Sequence, residues 1–122
     1  MKKTILLIED TEDLGEMICD ILIFSGFQFT WAKNGSEGVT QYFSIKPDLV
    51  ITDLVMPIMN GLEFISKIHE MDKESRAPII ILSAKATPED KEAGFRAGAS
   101  LYLSKPCSSQ LLLESIEGLL KK

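Results

Sequence analysis

Four short apolar runs and one segment of alternating apolar and polar residues are separated along this sequence by longer segments with the features of helices. A continuous apolar run is typical of a strand that is covered on both faces. Strands that alternate with helices in this way predict an α/β fold, in which a mostly parallel sheet carries helices on both faces. The strands are predicted at residues 4–8, 27–31, 49–52, 78–82 and 101–103.

The helical segments are predicted at residues 13–24, 36–44, 62–68, 88–97 and 108–120. In four of these segments the apolar residues recur at intervals of three and four, which is the spacing of one helix face. The segment 88–97 is predicted from Pro88, because proline suits the first turn of a helix. The residues predicted to face inward are Leu14, Met17, Ile18, Ile21, Leu22, Val39, Phe43, Leu62, Ile65, Ile68, Leu112, Ile116 and Leu119. Asn34-Gly35 is predicted to be a turn. Apolar and polar residues alternate in the second strand, which indicates a position at the edge of the sheet.

Length and composition limit the classes of protein that fit. The chain has 122 residues and 45% of them are apolar, so we expect a single domain over 1–122 with no output domain. A formal net charge of −5 disfavours direct binding to nucleic acid, which needs a basic patch. No apolar stretch approaches the roughly 18 residues of a membrane span. Acidic Glu9 and Asp10 end the first apolar run too early for a secretory signal, so we expect a cytoplasmic protein.

Polar residues follow the predicted strands at the points where the strands end. Glu9 and Asp10 come after the first strand, Asp53 after the third, Ser83 after the fourth, and Lys105 close after the fifth. The carboxyl ends of parallel strands meet at one edge of a sheet, and ligands bind there. The sequence therefore predicts that three carboxylates, one hydroxyl and one amine converge on one site.

The chemistry of this predicted site follows from its charges. Carboxylates that are crowded together repel one another, and a hard divalent cation relieves the repulsion. Mg²⁺ prefers a few carboxylates together with water and phosphate oxygens. The amine of Lys105 and the hydroxyl of Ser83 suit a phosphoryl group. Asp53 is accordingly predicted to be a nucleophile that forms an aspartyl phosphate.

At these residues the chain resembles the receiver domain of two-component response regulators. The motifs that carry the resemblance are "LLIED", "DLVMPIMNG", "IIILSAK" and "YLSKP", and it extends over residues 3–120. The resemblance implies a flavodoxin-like, doubly wound fold with strand order 2-1-3-4-5. It also implies a signalling phosphoacceptor, which assists its own phosphorylation and dephosphorylation, rather than an enzyme.

The resemblance assigns the metal and phosphoryl ligands. Asp53 is expected to accept phosphate from a histidine kinase or a histidine phosphotransfer protein. Asp10 is expected to bind Mg²⁺ directly and Glu9 through water, while the main-chain carbonyl of Val55 completes the protein's share of the metal ligands. Lys105 is expected to neutralise the phosphoryl oxygens.

The resemblance also implies a switch. Ser83 is expected to turn its hydroxyl onto the phosphoryl group, and Tyr102 to rotate between exposed and buried positions. The Lys105-Pro106 bond is expected to be cis, an isomer that only bonds before proline adopt at modest cost. The switched surface would then engage a downstream protein target, an output domain or a second copy of the chain.

Three alternatives compete with this interpretation. A haloacid-dehalogenase-like phosphohydrolase also uses an aspartate nucleophile and Mg²⁺, but it needs a second aspartate where this chain has Val55. A flavin or nucleotide binder would need a glycine-rich phosphate loop, which the sequence lacks. A degenerate receiver that only binds partners would have no reason to keep the acidic residues and Lys105.

Overall fold

The computed structural model describes residues 2–74 and 77–121. Strands and helices alternate along these residues, in agreement with the predicted α/β fold. The elements are β1 (Thr4–Ile8), α1 (Glu12–Phe24), β2 (Gln28–Ala32), α2 (Gly35–Ile45), β3 (Leu49–Thr52), α3 (Gly61–Met71), β4 (Ile79–Ser83), α4 (Pro88–Ala97), β5 (Leu101–Ser104) and α5 (Ser109–Leu120). The strands pair in parallel in the order β2-β1-β3-β4-β5. The flavodoxin-like architecture and its strand order are therefore confirmed.

Two apolar layers cover the sheet, because successive strand residues point to opposite faces. In β1, Leu6 and Ile8 belong to one layer, and Ile5 and Leu7 belong to the other. The first layer includes Tyr42, Phe64, Ile65 and Ile68, which come from α2 and α3. The second includes Ile18, Leu22, Leu112 and Ile116, which come from α1 and α5. Full burial of each Leu or Ile side chain stabilises the fold by about 1.5–3 kcal/mol.

The inward faces of α1 and α2 differ in part from the prediction. Met17 and Phe43 are exposed, whereas Tyr42 is buried. Glycines explain both differences, since Gly15 of α1 and Gly38 of α2 lie on the inward faces and let each helix approach the sheet closely. A prediction that counts only apolar side chains ignores glycine. It therefore assigns a face of each helix to the core that is rotated from the one actually buried.

Asn34-Gly35 does not form a separate turn, because Gly35 is already the first residue of α2. The predicted turn is therefore wrong. Asn34 is the N-cap of α2, and its side-chain oxygen accepts a hydrogen bond from the Glu37 amide at 2.9 Å. Asn60 caps α3 in the same way, with Glu63 completing a reciprocal capping box. Such caps satisfy amide groups that the first turn of a helix leaves without partners. They fix where α2 and α3 begin.

The edges of the sheet agree with the sequence pattern. β2 lies at one edge, as its alternating pattern predicted, and β5 lies at the other. Pro78 precedes β4 instead of opening it, although its carbonyl accepts a hydrogen bond from the Val50 amide at 2.9 Å.

Within the described residues, every helix is too short or too polar to cross a membrane.

Candidate functional site

The parallel pairing of β1 with β3 brings Glu9 and Asp53 together. Ile8 pairs with Thr52 at the carboxyl ends of these strands, and the Asp53 amide donates to the Ile8 carbonyl at 3.1 Å. The next residue on each strand is therefore an acid at the same edge. Glu9 and Asp53 are both buried. This edge contains the site that the sequence predicted.

Asp53 is held in one orientation by both of its carboxylate oxygens. Oδ1 accepts hydrogen bonds from the main-chain amides of Leu54 at 2.6 Å and Val55 at 3.3 Å. Oδ2 accepts one from Lys105 Nζ at 2.7 Å. A third residue shapes the loop, because Gly61 lies so close to the Asp53 carbonyl that a side chain would not fit there.

Lys105 bridges the two buried acids. Its Nζ lies 2.7 Å from Asp53 Oδ2 and 3.2 Å from Glu9 Oε1, and its main-chain amide donates to the Ser83 carbonyl at 3.0 Å. Burial alone would lower the pKa of the Lys105 ammonium, but the hydrogen bonds and charges of Asp53 and Glu9 outweigh it and raise that pKa. The ammonium therefore stays charged at neutral pH. The Lys105-Pro106 bond is cis, as predicted.

Glu9 occupies the least solvated position of the three acids. Burial raises the pKa of its carboxyl, while a hydrogen bond from the Thr11 amide at 3.1 Å and the charge of Lys105 act in the opposite direction. Its main-chain carbonyl accepts a hydrogen bond from Trp31 Nε1 at 2.8 Å. Trp31 was not predicted to belong to the site, because nothing in a single sequence shows which carbonyl an indole N–H will reach.

Glu9, Asp10 and Asp53 can each direct one carboxylate oxygen to a common point. These oxygens lie within 4.8 Å of one another, and Asp10 is the exposed member of the group. Three carboxylates beside one ammonium leave a surplus of negative charge. This donor set fits a hard cation such as Mg²⁺, which prefers carboxylates and water.

Ser83 and Tyr102 both form side-chain hydrogen bonds with the main chain of Lys85. Ser83 is buried at the end of β4, and its Oγ accepts a hydrogen bond from the Lys85 amide at 3.2 Å. Tyr102 is buried, and its hydroxyl donates to the Lys85 carbonyl. The structure thus places Tyr102 in the inward one of its two expected positions. Lys85 was not predicted to connect the two side chains.

The carboxyl edge of this five-stranded sheet brings three acids next to a lysine. On a flavodoxin-like fold, this arrangement defines the receiver class. The sequence matches the family described as response regulator receiver domain over residues 5–117. The chain belongs to this family, whose members are signalling domains rather than classical enzymes, and receiver domains bind Mg²⁺ at an acidic pocket. Nothing in these matches supports the haloacid-dehalogenase alternative.

Individual relatives agree with this assignment. The phosphate regulon transcriptional regulatory protein PhoB of Escherichia coli (strain K12) is 30% identical over 122 residues, which are 100% of this chain and 53% of that protein. Chemotaxis protein CheY4 of Vibrio cholerae is 26% identical with a TM-score of 0.91, covering 98% of this chain and 99% of that chain. The chain spans about half the length of the curated relatives it matches.

A further solved relative carries a metal ion. The receiver domain of sensor histidine kinase PA1611 from Pseudomonas aeruginosa is 26% identical with a TM-score of 0.92, and the match covers 100% of both chains. That structure has a magnesium ion coordinated in its active-site cleft.

Proposed function

We propose that this domain receives a phosphoryl group on Asp53 from a phosphohistidine donor. A carboxylate oxygen of Asp53 attacks phosphorus, the bond between phosphorus and the donor imidazole nitrogen breaks, and the imidazole leaves with a proton from solvent. The observation that carries the proposal is the contact of 2.7 Å between Lys105 Nζ and Asp53 Oδ2. That ammonium can pass to the incoming phosphoryl oxygens as negative charge builds up there.

The proposed metal ligands are Glu9, Asp10, Asp53 and the main-chain carbonyl of Val55. The cluster of three carboxylates supports this assignment, because one oxygen of each lies within 4.8 Å of the other two. Bound Mg²⁺ would supply positive charge to the phosphoryl oxygens. Asp10 is exposed and suits direct coordination, whereas the more buried Glu9 suits contact through water.

Ser83, Lys85 and Tyr102 form the proposed switch. After phosphorylation the Ser83 hydroxyl would move toward the phosphoryl group and donate to one of its oxygens, and this movement would change its contact with the Lys85 amide. Because the Lys85 carbonyl accepts the Tyr102 hydroxyl, a shift of the loop after β4 would reach the Tyr102 ring. The bonds of both side chains to one residue support this coupling.

The proposed donor is a histidine kinase or a histidine phosphotransfer protein. The phosphorylated domain would pass the signal to an output domain, to a separate protein target or to a second copy of the chain. Support comes from relatives that are named as transcriptional regulators and are about twice as long as this chain. The side chain of Val55 is exposed next to Asp53 and cannot orient water, so we expect slow self-dephosphorylation.

Phosphorylation by a small phosphoramidate donor tests the proposal without a kinase. With Mg²⁺, intact-mass spectrometry should show one added phosphoryl group on the wild type and none on Asp53→Asn. Asp20→Asn, which changes the same charge at an exposed position, should behave as wild type. Chelation of the metal should abolish the gain. An Asp53→Asn protein that still gains the group would refute the assignment.

A further inference from the structure

The side chain of Trp31 connects the edge strand β2 to the loop that carries the acids. Its Nε1 donates to the main-chain carbonyl of Glu9 at 2.8 Å. The amide of Glu9 in turn donates to the carbonyl of Ala32 at 3.0 Å. Two consecutive residues at the end of β2 therefore hold the peptide groups on both sides of Glu9.

Asp10 depends on this attachment more than the other two acids do. The carboxylates of Glu9 and Asp53 are both fixed by the Lys105 ammonium. Among the residues that the structure describes, none bonds to the exposed Asp10 carboxylate. The peptide plane that joins Glu9 to Asp10 places the main chain from which the Asp10 side chain extends, and the carbonyl of that plane accepts the Trp31 hydrogen bond.

The indole ring is itself held in place by neighbours. A Cβ atom on Gly15 of α1 would collide with its six-membered ring. Lys33 Nζ lies 3.6 Å from the ring centroid and pairs with Glu12 at 3.0 Å. A cation over an aromatic face is attracted by the ring. These contacts give the Nε1 donor a fixed position relative to the Glu9 carbonyl.

We propose that Trp31 is a positioning residue of the Mg²⁺ site. It orients the peptide between Glu9 and Asp10, so that the otherwise unsupported Asp10 carboxylate faces the Asp53 carboxylate before the metal arrives. Hydrogen-bond partners behind metal ligands commonly set metal affinity in this way. The inference rests on the proposed function, because it assumes that this cluster is the Mg²⁺ site.

Trp31→Phe is the direct test, since phenylalanine keeps an aromatic ring but has no N–H donor. We expect Mg²⁺ binding, measured by isothermal titration calorimetry, to weaken about tenfold, the lower end for such outer partners. Urea denaturation without metal shows whether the variant is fully folded under the titration conditions. A variant that loses stability but binds Mg²⁺ as tightly as wild type overturns the proposal.

Gly15→Ala tests the same point from a second direction. Its new methyl group must displace the indole, so it should also weaken Mg²⁺ binding although Trp31 remains present. Gly118→Ala on α5 is the matched control, because a Cβ atom there meets nothing within 4 Å. It should bind Mg²⁺ as wild type does. Equal affinities for Gly15→Ala and Gly118→Ala would contradict the positioning role.

The wild-type titration separates this inference from the function on which it rests. If the wild-type protein binds no Mg²⁺, the proposed metal site is wrong and the role of Trp31 falls with it. If the wild type binds Mg²⁺ and both Trp31→Phe and Gly15→Ala match it, the site stands and the role of Trp31 alone is refuted.

Discussion

The ring of Tyr102 packs directly against the main chain of Gly94 on α4. A Cβ atom on Gly94 would lie 2.9 Å from Cδ2 of Tyr102 and 2.8 Å from Cδ1 of Ile81, closer than real Cβ contacts come. Gly94 therefore makes room for the inward position of Tyr102, in which the hydroxyl is bonded to the Lys85 carbonyl. The small size of residue 94 is a condition of the proposed switch.

The first prediction compares Gly94→Ala with Gly118→Ala. Alanine favours a helix more than glycine, so Gly118→Ala should raise the free energy of unfolding by about 0.5–1 kcal/mol. At position 94 crowding should exceed that gain and leave a net loss of about 1 kcal/mol. Urea denaturation of both variants measures the difference. Equal gains in stability would show that Tyr102 and Ile81 yield to a methyl group without cost.

The sequence predicted the sheet and the site for the same physical reason. Apolar runs mark strands that are covered on both faces, and the residues after such strands must meet at one edge of a parallel sheet. Asp53 and Lys105 are far apart in sequence, yet their meeting follows from this rule alone. The structure confirms the fold and brings the predicted side chains together, whereas the role of each remains a proposal.

What the sequence could not predict depends on glycines and on side-chain reach. The inward position of Tyr42 instead of Phe43 follows from how closely Gly38 lets α2 approach the sheet. The hydrogen bond from Trp31 to the Glu9 carbonyl depends on rotamers and on the spacing between α1 and β2. Neither a helical period nor a strand pattern contains that information.

The second prediction concerns Lys105→Met. This change leaves Asp53 and Glu9 buried without their cation, so the metal-free protein should lose about 3–5 kcal/mol of unfolding free energy. Mg²⁺ should restore more stability to this variant than to wild type, because the ammonium no longer competes for the carboxylates. Thermal denaturation with and without Mg²⁺ measures both effects.

Lys85→Met is the matched control for Lys105→Met. The Lys85 side chain is 61% exposed and lies 3.7 Å from Asp90, whereas the Lys105 side chain is 18% exposed. An exposed pair of this kind contributes about 0–1 kcal/mol. If Lys105→Met lost no more unfolding free energy than Lys85→Met, solvent would be stabilising the charges of the buried acids in place of the lysine.

The third prediction concerns a strained turn beside the site. The Pro57 carbonyl accepts a hydrogen bond from the Met59 amide at 2.7 Å, which closes a turn around Ile58 at φ +70°. A β-branched residue at such a positive φ is strained, and Ile58 is 81% exposed, so burial offsets little of the cost.

Ile58→Asn should therefore stabilise the protein. Asparagine lacks the branched Cβ that makes a positive φ costly for isoleucine, and we expect a gain of about 0.5–1 kcal/mol in unfolding free energy. Ile23→Asn, at an exposed position inside α1, should bring no gain, because its main chain is helical. Denaturant titration of the two variants decides the point, and a loss of stability at position 58 would contradict the strain.

The fourth prediction concerns an apolar patch on α5. Leu112 and Ile116 are buried against the sheet, whereas Leu111 is 46% exposed and Leu113 is half-buried. Leu113 and Phe24 of α1 line a surface depression of about 350 Å³. Leucines that flank a buried stripe are available to a partner, and their removal should cost the core little.

Leu111→Ser combined with Leu113→Ser should leave Asp53 phosphorylation intact but weaken phosphorylation-dependent association. Sedimentation velocity with and without a beryllofluoride phosphate mimic compares self-association of the two proteins, and the partner is added once it has been identified. Gln110→Ser combined with Glu114→Ser is the matched control, because it places two serines at exposed polar positions of the same helix. If both double variants associate as wild type does, the apolar patch is not the contact surface. The exposed Met17 on α1 then becomes the next position to change, since it is apolar and lines a depression next to Lys105.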